Sequence, residues 1–554
     1  MKKIFYAFYG LVVLLSITTI ILVAVTLGII LNRLGSNNDK SLSFVRGIKS
    51  NDLMKHLKQL QIIADQSNGT RAIGTQGFNN TLDYITRQLK ENTNFLLHYE
   101  YFQIPNNVVQ GTPELQSEIN GLIENYNYLT DFTHVLFSPS GYLPSPIRLV
   151  SIPNLGCQDA DWSGVLVGDS IALVKRGECT FPEKSLLAEK YRAKGLLIYN
   201  DGAASDRFQA YRNVRSHANT TIPIYFLSYN LGVKFVTAAL DASKNASVIM
   251  RVDVTHAEGI GNVCADTPTG DSTKTIVVGA HSDGVLDGSG INDNGKNSFY
   301  NRRILVFFTD EVIGSGTIGT LVLALALGRL LGTSSSSYSP YPYRVRFCWW
   351  GAEELGLLGS IYHVEQAALS GNLQDYLVYF NYDMLASANF NFGILDSFVV
   401  PPGTPSEALP GTTRITALFQ QWFDEEKLLW TRSGIGGGSD FVPFLVQGIA
   451  AGGVSTGANG IKTSIERDDY TNALGIDNAG LANVAYDSCY HQQCDRITNV
   501  NPFAYEKVVQ AAAYAIEYMG RLNDLEKWLY PQGRVKNTNQ QQRQFPIYND
   551  PDLF

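Results

Sequence analysis

Apolar residues recur at helical spacing over residues 51–90, first as Leu53, Leu57, Leu60, Ile62 and Ile63, then as Leu82, Ile85 and Leu89. Gly69, Gly74 and Gly77 separate the two sets, so the pattern predicts two helices opening a folded unit. From about Thr130 the pattern shortens to β-rich runs at Ile147–Ile152, Val165–Val167, Ser170–Lys175, Gly195–Tyr199 and Ile222–Leu227, with a helical stretch over Lys184–Lys194. This segment reads as a compact β-rich module. From Thr275 onward, strand-like runs at Thr275–Ala280, Tyr343–Trp350, Tyr376–Tyr382 and Gly448–Ala451 alternate with helical ones such as Ile318–Leu331. That alternation predicts an α/β fold, a mixed sheet flanked by helices, closed by an amphipathic helix over about Pro502–Trp528.

The chain opens with Met1, Lys2 and Lys3, then runs almost purely apolar from Ile4 to Leu31, with no charge until Arg33. The run is long enough to span a bilayer. Only Ala24-Val25-Thr26 resembles a cleavage site, so a signal anchor is preferred to a cleaved signal peptide. Either reading puts the rest of the chain in a lumen or outside the cell. The resulting plan is a hydrophobic helix in 1–35, a folded unit in 45–130 that resumes in 254–530, an inserted β-rich module in 131–253 and a polar tail in 531–554.

Composition narrows the function. The chain has 554 residues, 45% of them hydrophobic and 17% charged, which suits globular units with appendages. A net charge of -8 without a basic run excludes a nucleic-acid partner, which requires a basic face. Sequons at Asn68, Asn79, Asn219 and Asn245 agree with a lumenal or extracellular side. The six cysteines, Cys157, Cys179, Cys264, Cys348, Cys489 and Cys494, can be disulfides in such a compartment.

Four short segments carry candidate chemistry. Ile276–Asp283 ends a buried strand on His281, with Asp283 two residues on to orient the ring. Gly290–Gly295 holds Asp293 in an Asn/Gly-rich loop. Phe347–Glu354 ends a strand on the adjacent acids Glu353 and Glu354, and Phe380–Met384 ends another on Asp383. Taken singly, each is more ordinary as a turn or surface residue. Together they supply imidazole and carboxylate ligands at the carboxyl ends of neighbouring strands, which suits zinc.

With these segments, the chain resembles the M28 zinc peptidases, most closely their aminopeptidase Y branch. Cys489-Tyr-His491-Gln-Gln-Cys494-Asp495, Gly438-Ser439-Asp440-Phe441 and Gly448–Gly453 extend the resemblance over about residues 45–530. It implies two Zn2+, with His281 and Glu354 each on one ion, Asp383 and His491 completing the two sites and Asp293 bridging. It also implies Glu353 as general base, a Cys489–Cys494 disulfide, and peptide substrates cut from the amino end by a water that the two cations share. The module at 131–253 resembles a protease-associated (PA) domain through Ile171–Phe181 and Glu183–Asn200, and Cys157 and Cys179 are its natural disulfide pair.

One feature departs from the family pattern. Residues 296–313 separate Gly290–Gly295 from the Gly314-Ser-Gly helix start, bringing an apolar cluster at Ile304–Phe308 and no glycine. A retained short intron is the preferred reading, because excision restores the pattern, and an active-site lid is the other. Three rival functions remain: a carboxypeptidase of the glutamate-carboxypeptidase type, for which Arg432 is a candidate basic contact, a single-zinc glutaminyl cyclase, and a metal-less receptor-like binding protein.

Overall fold

The computed structural model describes residues 43–203, 205–211, 214–217, 219–284, 314–332, 338–490 and 494–534. The apolar run Ile4–Leu31, Asp293, the segment 296–313 and His491 lie outside the described residues.

Helix α1 (Ser50–Asp65) buries Leu53, Leu57, Leu60 and Ile63, the face set by their three- and four-residue spacing. Helix α2 (Gln76–Asn92) starts where the Thr75 hydroxyl accepts from the Phe78 N–H at 3.4 Å. After them comes strand β1 (Leu96–Ile119), 24 residues long, which begins well ahead of Thr130. A short return strand, β2 (Leu122–Asn125), folds back on its tip.

The insert holds β3 (Phe132–His134), β4 (Gly141–Ser151), β5 (Ile171–Lys175), helix α3 (Phe181–Lys190), β6 (Gly195–Tyr199), β7 (Ile224–Leu227) and helix α4 (Tyr229–Leu240). Here β4, β5, β6 and β7 run parallel and β3 pairs antiparallel at the edge. Helix α3 starts three residues before the expected Lys184. Thr180 and Glu183 form a reciprocal capping box there, with Pro182 in the first turn. The expected strand at Val165–Val167 is instead a turn with Val167 buried. Cys157 and Cys179 are joined, with Cα atoms 5.5 Å apart.

Strand β8 (Ser247–Asp266) then pairs antiparallel with β1 along nearly its whole length, from Glu118↔Ser247 to Leu96↔Asp266. At its start β8 also pairs with β4 of the insert, and at its end with β10 of the second half of the chain (Tyr343–Trp350). The ribbon β1/β8 is thus a two-strand arm that carries the insert.

The α/β layer follows as β9 (Asp271–His281), helix α5 (Ser315–Gly332), β10 (Tyr343–Trp350), β11 (Tyr376–Tyr382), β12 (Gly393–Asp396), helix α6 (Leu409–Glu425), β13 (Thr431–Gly434), β14 (Ala450–Ser455) and helix α7 (Pro502–Arg521). The continuous sheet has the order β13-β12-β14-β11-β9-β10-β8-β4-β5-β6-β7-β3. Its centre, β14-β11-β9-β10, is parallel, with an antiparallel neighbour on each side. Helices α1, α5, α6 and α7 contribute to one large apolar core against one face. Helix α5 is apolar all round and is long and hydrophobic enough to cross a membrane. It is mostly buried inside the protein, as befits a core helix. The expected closing helix ends at Arg521, and a short helix at Leu525–Leu529 follows a break at Leu522. The last core strand begins at Ala450 rather than Gly448, whose φ of +84° belongs to the turn before it.

Candidate metal centre

Strands β9, β10 and β11 lie side by side in parallel, so their carboxyl ends open on one crevice. His281 ends β9, Asp383 follows β11 directly, and Glu353 and Glu354 lie in the turn after β10. Ligand-type atoms of His281, Glu353 and Glu354 all lie within 4.8 Å of one another. His281 Nε2 is 3.5 Å from Asp383 Oδ1, and its Nδ1 is 3.8 Å from Glu353 Oε2. Four of the expected site residues are therefore brought together. Asp293 and His491 lie outside the described residues, and Cys489 and Cys494, on either side of His491 in the sequence, are joined.

The start of α5 fixes this crevice from beneath. A Cβ on Gly316 would come within 2.1 Å of the Tyr382 carbonyl oxygen, so only glycine lets the helix pack on the strand end that carries Asp383. Ser315 Oγ accepts from the Leu385 N–H at 2.8 Å, and Thr317 Oγ1 donates to the His281 carbonyl at 2.5 Å. A buried relay supports the other side. Trp350 Nε1 donates to the Tyr379 hydroxyl, which donates to Asn381, whose amide donates to Ser439, and Ser439 Oγ donates to Asp383 Oδ2 at 3.0 Å.

Asp283 does more than orient a ring. Its Oδ1 stands 3.6 Å from His281 Nδ1, longer than a hydrogen bond. Its two oxygens accept the backbone N–H groups of Glu353 at 3.1 Å and Glu354 at 3.3 Å. One buried carboxylate thus couples the His281 strand to the Glu353–Glu354 turn.

Charge is crowded here. Glu353 is held well above the usual carboxylate range by burial, then by the charges of Glu354, Asp440, Asp383 and Asp283. Asp440, fully buried, is pushed up to about 7 by burial first, with Asp283 and Asp383 adding and His281 opposing. Neither Asp440 oxygen has a hydrogen-bond partner among the described residues, because the nearby Ser360 hydroxyl donates to the Leu357 carbonyl instead. For His281, burial works to lower the pKa, yet Asp383, Asp283 and Asp440 together raise it. A nest of dry carboxylates around a histidine is costly unless a cation compensates it, so the donor set fits a divalent metal.

Two contributors escaped the reading from sequence. Asp440 sits in the Gly438-Ser-Asp-Phe motif, but an acid after a glycine run also reads as a turn. Arg71, fully buried, donates to the Ser282 carbonyl and, at 3.2 Å, to Thr81 Oγ1. Burial lowers its pKa to about 9 while the Asp283 charge works against that. Its backbone carbonyl also accepts from Gly284, so the α1–α2 connection is stitched to the loop after His281. Arg432, a candidate carboxylate contact, is mostly exposed and pairs with Asp396 at 3.2 Å.

Comparison with known proteins agrees with this geometry. The profile of Peptidase family M28 matches residues 262–516, and that of the PA domain matches residues 146–235. An aminopeptidase of Pseudomonas aeruginosa is 30% identical over 488 residues, covering 86% of this chain and 82% of its own. A probable leucine aminopeptidase 2 of Aspergillus fumigatus is 31% identical, covering 84% of this chain and 82% of its own. Aminopeptidase Y of Saccharomyces cerevisiae is 28% identical, covering 82% and 74%. In fold, the chain is similar to the aminopeptidase of Aneurinibacillus sp. strain AM-1, with a TM-score of 0.60 and 19% identity over 86% of this chain and 95% of that one. BSAP, a zinc aminopeptidase from Bacillus subtilis, gives a TM-score of 0.59 at 20% identity, covering 85% and 95%. The coverage runs through both the insert and the sheet that surrounds it, and the chain belongs to peptidase family M28 and carries a PA domain.

Proposed function

We propose that this chain is a zinc-dependent aminopeptidase that removes N-terminal residues from peptides. The observation that carries the reading is the convergence of His281, Glu353, Glu354 and Asp383 at the ends of three adjacent strands. His281, Glu354 and Asp383 would hold zinc, with Asp293 and His491 completing a two-ion set. Zinc bound there would supply Lewis acidity to the scissile carbonyl and to the attacking water.

The chain's own residues supply the rest. Glu353 takes a proton from the attacking water on a carboxylate oxygen and returns it to the leaving amine. Burial and its acidic neighbours raise its proton affinity above that of an ordinary carboxylate. Asp283 holds the backbone of Glu353 and Glu354, so the base and the adjacent ligand move together. The surplus of carboxylates favours a positively charged group in the crevice, and a substrate's free α-amine is such a group. That preference confines cleavage to the amino end.

Blocking each end of a peptide tests the assignment. N-acetylation is expected to abolish cleavage and C-terminal amidation to leave it intact. The reverse result replaces this reading with a carboxypeptidase.

The same reading sends the chain into the secretory pathway, with Ile4–Leu31 as its anchor. Three disulfides suit an oxidising compartment, and all four sequon asparagines are exposed. The expressed protein should sediment with membranes and gain mobility on glycosidase treatment. A soluble product that starts after about residue 26 would make the run a signal peptide.

A further inference from the structure

The turn that presents Glu353 and Glu354 is conformationally expensive. Ala352 and Leu357 take φ of +60° and +59°, and Gly356 takes +109°. Non-glycine residues in that region are strained and persist only where surrounding contacts over-determine them. On one side the contact is Asp283, which takes the Glu354 N–H. On the other side the contact comes from the insert, where Arg215 Nη2 donates to the Glu354 carbonyl at 3.4 Å. The two polar groups of the Glu354 backbone are thus held by two different domains.

Several features make this reach a built one. Arg215 lies within the PA match of residues 146–235 and is half-buried. Its backbone is pinned to the segment just after β3. Leu136 N donates to Val214 O at 2.7 Å and Ser216 N to Leu136 O at 3.0 Å, with Ser216 Oγ adding a bond at 3.1 Å. The guanidinium is seated against Gly356, where a Cβ would come within 2.2 Å of Nη1. Beneath it, Leu136 and Phe137 share an apolar cluster with Ala352 and Leu355 of the catalytic turn. The turn therefore packs against the insert as well as against its own sheet.

We infer that Arg215 is a positioning residue that the inserted domain lends to the Glu353–Glu354 turn, so that docking of the insert sets the geometry of the metal centre. Arg215 acts through the Glu354 peptide, which fixes where both carboxylates point. A shift of about 1 Å at such a group can cost about 10²-fold in rate. The inference rests on the aminopeptidase reading for its kinetic arm alone.

The experiment compares Arg215→Ala, Arg215→Lys and the unsubstituted chain by hydrogen exchange, zinc content and steady-state kinetics. Loss of the strap should speed amide exchange in residues 353–357 by about tenfold in Arg215→Ala, with exchange in the insert unchanged. In the same variant kcat should fall by about 10–10²-fold at near-constant KM and full zinc content. Arg215→Lys, which keeps a cationic donor, should recover part of both effects. Unchanged exchange in the turn overturns the inference, and so does faster exchange spread over the whole insert, which marks a general stability role. A rise in KM confined to peptides with a free carboxylate, with kcat intact, would make Arg215 a substrate contact and also overturn it. If the unsubstituted chain cleaves no peptide, the aminopeptidase reading fails while the exchange arm still decides the role of Arg215.

Discussion

Replacing Glu353 with Gln is expected to leave zinc content intact and to lower turnover by about 10²–10⁴-fold. The amide keeps the shape of the side chain and the backbone bond to Asp283, but it cannot accept the proton of the attacking water. Glu354→Gln and His491→Ala should instead lose metal, because each removes a proposed ligand. Metal analysis beside kinetics separates the two outcomes. The measurement belongs on the full chain and on a version without residues 296–313, since an inactive parent would hide any loss. Glu353 and Glu354 both fall in the cluster around His281, so distance alone does not sort base from ligand. Loss of zinc in Glu353→Gln would exchange their roles.

The parts of the fold legible from sequence are those where local pattern and burial coincide. Tyr343–Trp350 and Tyr376–Tyr382 are strands at the expected bounds, because both are short and rich in aromatic residues with valine, which favours strand over helix. The arm β1/β8 was not legible. Val248, Met250, Val252 and Val254 alternate into the core on β8, but the first part of β1 leaves Leu96, Tyr99 and Tyr101 exposed, so the period-two signal of that strand is weak. Its partner strand also lies more than a hundred residues away.

The site shows the same division. His281, Glu353, Glu354 and Asp383 end strands or follow them closely, so sequence order predicts their meeting. Arg71 and Arg215 reach the same place through tertiary packing with nothing local to mark them, and Asp440 lies in a motif that by itself gives the acid no role. The Cys264–Cys348 disulfide is likewise a consequence of strand pairing, since the two residues face each other across β8 and β10.

That junction is where the arm joins the catalytic sheet, and it carries the second large effect. Arg346 on β10 grips Asp266 on β8 with two bonds, Nε to Oδ1 at 2.7 Å and Nη2 to Oδ2 at 2.8 Å. Arg344 stands 3.3 Å from the same carboxylate and His98 of β1 stands 3.1 Å from it, so three strands meet on one acid. The Asp266 side chain is only 3% exposed. Burial alone would raise its pKa, but the bonds from Arg346 and His98 and the charges of Arg346 and Arg344 outweigh burial and hold it far below the usual carboxylate range. Asp266→Ala leaves two arginines partly buried without their countercharge, and removing one member of such a pair costs about 3–5 kcal/mol. A folded-state pKa below the unfolded value near 3.8 means that Asp266 stabilises the fold above that pH. Its contribution begins to fall as pH drops below about 4, because the unfolded chain then takes up a proton that the gripped carboxylate still refuses, and it is gone only once pH passes the much lower folded-state pKa. Denaturant unfolding of the parent and Asp266→Ala, followed from pH 7 down to pH 3, should therefore show a large gap that narrows over the acid end. A gap under about 1 kcal/mol at pH 7 would mean that the disulfide and the strand ladder hold the arm without the ion pair.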